Sequence, residues 1–140
     1  MNKPPLWFTV TVVVALLWNL MGLLAIVANL NLSAADLAAL PAEQQALHRA
    51  QPGWSVVGSV IAVVAGTLGC VALVLRKRWA LWLFVASLVG IAMQDAGLFI
   101  AAGSLQALGP FVVVMQGLVL GVGVLLLLLS RRAMARAWIG

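Results

Sequence analysis

Four long apolar runs constrain this chain more than any other feature: Leu6–Leu30, Trp54–Leu75, Trp79–Ala102 and Pro110–Ser130. Each meets or exceeds the ~20 residues that cross a ~30 Å hydrocarbon core at ~1.5 Å per residue. None shows the alternating ~10-residue pattern of an outer-membrane barrel strand. A helix is the only open-ended structure that satisfies its own backbone polar groups in lipid. The chain is 65% hydrophobic and 8% charged, whereas a soluble domain devotes about a quarter of its residues to charge. The expectation is an all-α membrane protein: one transmembrane domain over residues 1–140, with four spanning helices packed as an antiparallel bundle and no room for a soluble domain.

The first run follows Lys3, as the core of a secretory signal would. It is too long for an apolar signal segment of about 7–15 residues, and Ala28-Asn29-Leu30 makes a poor cleavage site. It is expected to remain as a span.

Charge distribution sets the expected orientation. Lys3 precedes the first span, Arg76, Lys77 and Arg78 join the second to the third, and Arg131, Arg132 and Arg136 follow the fourth. The other side holds Arg49 with Asp36, Glu43 and His48. By the positive-inside rule both termini and the 76–78 turn are expected in the cytoplasm. The net charge of +5 is thus read as a topology signal, with some attraction to anionic lipid headgroups, and nucleic acid is not an expected partner. Cys70 stands alone, so no intrachain disulfide is expected; burial as a small packing residue is.

The outer loop, residues 31–53, carries two helix starts. Ser33-Ala34-Ala35-Asp36 is a variant of the capping box, and Pro41-Ala42-Glu43 is a second start. One or two short helices along the membrane surface are expected, either as a lid over an external cavity or as a capped connection. The joints at Arg76–Arg78 and Gly103–Gly109 are short, which favours up-down-up-down neighbours.

Small and polar residues recur at spacings of three and four in every span. They are Ala15, Asn19, Gly22, Ile26 and Asn29 in the first and Gly58, Ala62, Ala65, Gly69 and Ala72 in the second. Ser87, Gly90, Gln94, Gly97 and Ala101 follow in the third, and Gly117 with Gly121 forms a GxxxG pair in the fourth. Lipid is as apolar as leucine, so faces that let backbones approach are what pair helices in a membrane.

One acidic residue, Asp95, falls inside a span, roughly 12 Å below the outer surface. Gln116 lies at a similar depth, Asn19 slightly deeper, and Gln94 adjoins Asp95. A carboxyl there must face protein or water, and it is expected to be neutral and hydrogen-bonded to Asn19 or Gln116. Two accounts follow: a proton or substrate site, or an interhelical hydrogen-bonding group worth about 0.6–2 kcal/mol. Gln94 lies on the small-residue stripe, whereas Asp95 is rotated about 100° from it. Asp95, Asn19, Gln94, Gln116 and Trp18 are the candidate substrate-binding residues. Trp18 sits deep beside Asn19, and its expected role is core packing ahead of ligand stacking. No catalytic residue, cofactor or metal site is expected, because no nucleophile elbow, phosphate loop or metal-ligand spacing occurs.

The segments KPPLWFTVTVVVALLWNLMGLLAIV, LPAEQQALHRAQPGW and LVLRKRWALWLFVASLVG resemble a group of small bacterial inner-membrane proteins with four helices, some labelled as sugar transporters. The most specific elements are Pro4–Trp7 and Leu16–Gly22. The resemblance implies this architecture and a bacterial inner-membrane location. The expected function is a carrier for a small solute or proton-linked transport. Because four short helices rarely enclose a pathway, a homodimer is expected with it. The alternatives are a non-catalytic accessory subunit in a larger membrane complex, or a lipid- or quinone-binding protein.

Overall fold

The computed structural model describes residues 2–103 and 109–140, apart from the Glu43 side chain. Among these residues the secondary structure is helical throughout: α1 (Leu6–Leu30), α2 (Ala34–Ala38), α3 (Ala42–Ala50), α4 (Gly53–Val74), α5 (Ala80–Ala102) and α6 (Pro110–Ala135). Helices α1, α4, α5 and α6 are each long and apolar enough to cross a membrane. The sequence places the last span over 110–130, but α6 runs five residues further, through Arg131 and Arg132 to Ala135. Arginine, alanine and methionine are good helix formers, and the helix need not stop where its apolar run does. The Gly103–Gly109 joint lies largely outside the described residues; the flanking Gly103 and Gly109 adopt φ +81° and +86°, a region glycine enters without steric cost.

Helix α4 is the centre of the bundle, and its small-residue stripe explains why. Gly58, Ala62, Ala65, Gly66, Gly69, Cys70 and Ala72 are all buried. A methyl group added at Gly90 of α5 would stand 2.5 Å from the Gly58 carbonyl oxygen and 2.6 Å from the Ala62 nitrogen. Gly69 lies under the ring of Phe84, itself only 1% exposed. Ser87 Oγ donates to the Ala62 carbonyl at 2.7 Å, and Ser55 Oγ donates to the Gln94 carbonyl at 3.2 Å. Position numbers rise along α4 as they fall along α5. Such interhelical hydrogen bonds average about 0.6 kcal/mol in membranes, so close backbone approach holds this pair more than polar contacts do.

Helix α1 lies on the other flank of α4, with Gly22 against Val63 and Asn19 against Gly66 and Cys70. Helix α6 leans on α5 at Gly123, where an added methyl would meet Leu88 and Ile91 at 2.9 and 3.1 Å. The sequence offers Gly117 and Gly121 as the packing pair of α6, but nothing lies within 4 Å of either position. The helix therefore meets α5 through Gly123, and the GxxxG pair makes no close packing contact.

In the loop, Ser33 Oγ accepts from the Asp36 N–H and Asp36 Oδ2 accepts from the Ser33 N–H, each at 3.1 Å. This reciprocal capping box starts α2. The two backbone and side-chain hydrogen bonds from Ser33 hold the exposed Asp36 carboxyl below its ordinary pKa of 3.8. Gln45 Nε2 closes the α2 end by donating to the Leu40 carbonyl at 2.8 Å.

The basic end is tied more tightly. Helix α4 closes with Arg76 in the left-handed region (φ +61°), Lys77 N–H donating to Ala72 and Arg76 N–H to Leu73. Helix α6 closes the same way, with Ala137 at φ +56°, Trp138 N–H donating to Ala133 and Ala137 N–H to Met134. Both are Schellman closures built without glycine. They meet: Gly140 N–H donates to the Arg76 carbonyl, Arg78 N–H donates to the Gly140 carbonyl, and Arg76 Nε donates to the Trp138 carbonyl. Arg76 also reaches the Asn2 carbonyl, and Asn2 donates in turn to Ala137 and Arg136. Trp138 packs between Trp7 and Phe8, with Arg132 5.8 Å above the Trp7 ring.

Candidate functional site

Because α1 and α6 both rest on the α4–α5 pair, a furrow is left between them. It holds a cavity of about 340 Å³, a size that suits a small ligand. Most of the wall is apolar, including Ala62 from α4 and Val119 from α6. Four side chains bring polar atoms to it: Trp18 and Asn19 from α1, and Ser87 and Gln94 from α5. Among the described residues, none of the 31–53 loop lines it.

Asn19 is held by its donor side. Its Nδ2 donates to the Ala15 carbonyl at 2.8 Å and to Cys70 Sγ at 3.6 Å. Its Oδ1 sits in the space over Gly66 that a β-carbon would fill. A close approach of this kind requires glycine at 66. Cys70, fully buried, serves as a packing residue whose sulfur accepts a hydrogen bond. Ser87 lies over the same glycine, its Oγ 3.3 Å from that β-carbon position, while its proton is committed to Ala62. The furrow therefore presents hydroxyl and amide oxygens near its floor, with an amide at Gln94 and an indole at Trp18. Such a set suits a ligand with a small neutral head that both donates and accepts.

Asp95 and Gln116 occupy a different place. They line a second cleft of about 200 Å³ between α5 and α6, among Leu98, Phe99, Val113 and Leu120. Asp95 Oδ1 and Gln116 Oε1 are both buried with no hydrogen-bond partner. The sequence expectation joins Asn19, Gln94, Asp95 and Gln116 in one polar layer. The structure instead gives Asn19, Trp18 and Gln94 to the furrow and Asp95 with Gln116 to the side cleft. The physical reason is rotation: consecutive residues of a helix point about 100° apart, so Gln94 and Asp95 serve different faces of α5. Asn19 is spent on Cys70 and Ala15 rather than on the carboxyl. Trp18 is partly exposed to the furrow instead of lying in a closed core.

Ser87 is the furrow residue that the sequence reading leaves out of the candidate site. Its signal was present, since it stands seven residues before Gln94 on the same stripe. Among the described residues no three histidine, cysteine, aspartate or glutamate side chains stand close enough to hold a metal ion. Compared with known proteins, the chain matches no family model, no curated protein and no solved structure.

Proposed function

We propose that this protein is a multi-pass membrane protein that holds a lipid-soluble molecule with a small neutral polar head, of the lipid or quinone class, in the furrow between α1 and α6. The observation that carries this reading is the furrow itself: a cavity of about 340 Å³ with a mostly apolar wall, to which Asn19, Ser87 and Gln94 bring polar atoms. An apolar body fits the walls, and the head exchanges hydrogen bonds with the amides.

The proposed setting is the bacterial inner membrane, as the resemblance of residues 4–7 and 16–22 implies, with four antiparallel spans. Both termini and the Arg76–Arg78 turn lie on the cytoplasmic side, following the basic residues. A carrier for a small solute is the second reading. It is favoured by the polar side chains that α1 and α5 both bring to the furrow wall, and in that case a second copy would complete the pathway.

Photolabelling in lipid vesicles with a photoactivatable long-chain quinone and a photoactivatable fatty acid tests the first reading. Label is expected on α1 and α6 peptides that line the furrow and is expected to fall with Ala25→Phe, which fills it. Label spread evenly over lipid-facing residues, or unaffected by Ala25→Phe in folded protein, would refute it. Solute uptake by the same vesicles that is lost in Gln94→Leu would favour the carrier.

A further inference from the structure

Two buried oxygens without partners, lining one small cleft, call for a hydrogen that neither heavy-atom position reveals. Buried polar atoms in folded proteins are almost always hydrogen-bonded. Asp95 Oδ1 and Gln116 Oε1 are not. Both line the α5–α6 cleft; among the described residues no other titratable side chain lines it, and the remaining walls are Leu98, Phe99, Val113, Leu120 and Gly117. Phe99 and Leu120 are 48% and 43% exposed on the flank of the bundle, so the cleft opens sideways toward hydrocarbon, which solvates an ion poorly.

We propose that Asp95 is a proton-holding site: its carboxyl carries a hydrogen and donates it to the amide oxygen of Gln116. One proton then satisfies both orphaned atoms and leaves the cleft uncharged. The ligand class is a proton, and the site is separate from the furrow, so it stands whether or not the furrow binds a lipid-soluble molecule. The competing arrangement turns the Gln116 amide over, so that its N–H donates to an ionised Asp95. The two arrangements differ in a measurable way. A protonated carboxyl has a carbonyl stretch well above the amide band; a carboxylate does not.

Infrared spectroscopy of the full chain in lipid vesicles at neutral pH provides the test. A protonated-carboxyl band is expected in the wild type and is expected to vanish in Asp95→Asn. In Gln116→Leu it should persist and shift to higher frequency, because its acceptor has gone. The chain has two aspartates, Asp36 and Asp95. Carboxyl-13C aspartate in an Asp36→Asn background therefore assigns the band without altering the cleft, should Asp95→Asn fail to fold. Absence of the band in folded wild type, its survival in Asp95→Asn, or its failure to move with the 13C label would overturn the proposal. An unshifted band in Gln116→Leu would overturn the assignment of Gln116 as the acceptor.

Discussion

Replacing Gly90 by alanine tests whether backbone proximity is what holds the α4–α5 pair. The added β-carbon would lie 2.5 Å from the Gly58 oxygen, 2.6 Å from the Ala62 nitrogen and 3.1 Å from the Ala62 α-carbon. These are backbone atoms of a helix and cannot rotate aside. The tightest contact is about 0.9 Å short of the 3.4 Å at which ordinary contact begins, so the helices must separate by roughly that distance. A gap of ~0.5–1 Å forfeits about a quarter to a half of the dispersion well for each facing atom pair, and overpacking of a tight core costs about 1–3 kcal/mol. The Ser87 to Ala62 hydrogen bond at 2.7 Å stretches too, which adds about 0.6 kcal/mol. Alanine gains helix propensity at any helical glycine, up to about 1 kcal/mol, so the informative quantity is a difference. Gly121→Ala supplies the reference, because nothing lies within 4 Å of its β-carbon position. Unfolding in mixed micelles should find Gly90→Ala less stable than Gly121→Ala by about 2–3 kcal/mol, roughly 30- to 150-fold in the equilibrium constant. Equal stabilities would refute the close-approach argument.

Three further outcomes follow from other parts of the molecule. Gly66→Ala should expel the Asn19 amide from its seat, costing about 1–2 kcal/mol, and should raise the alkylation rate of Cys70 by a small maleimide; a thiol as slow as wild type would contradict that placement. Arg76→Ala breaks the guanidinium bonds to Trp138 and Asn2 and should lower stability by about 1–2 kcal/mol. Arg76→Gly loses less, because it relieves the φ of +61°; the reverse order in a thermal melt would refute the assigned strain. For Asp36, the folded carboxyl is favoured in its charged form by Ser33, so its contribution is complete above the ordinary value of 3.8 and fades as pH falls below it. The protection factor of the Asp36 amide, its exchange relative to the unstructured rate at the same pH, should fall on acidification through that range in wild type but change little in Ser33→Ala, and a flat wild-type profile would refute the capping contribution.

The spans were legible because length and apolarity are sufficient evidence for a membrane helix. The caps at Ser33 and Pro41 were equally open, since each depends on adjacent residues. Rotation was not. Gly117 and Gly121 make a stronger motif than Gly123, yet Gly123 meets α5, because the azimuth of α6 depends on every side chain along α5 at once. The same limit separates Asp95 from Asn19: depth along an axis can be counted in the sequence, but the side from which a residue faces its neighbours cannot. The extension of α6 to Ala135 is not legible in the apolar run, because apolarity marks where lipid ends, not where a helix ends.

The left-handed closures at Arg76 and Ala137 also bear on how the molecule can move. Through them the end of α6, the start of α1 and the α4–α5 turn are hydrogen-bonded to one another. Among the described residues no hydrogen bond joins α1 to α6 at the far end. With the basic end tied, any separation of the two outer helices would be greatest at the opposite rim, nearest the α2–α3 loop.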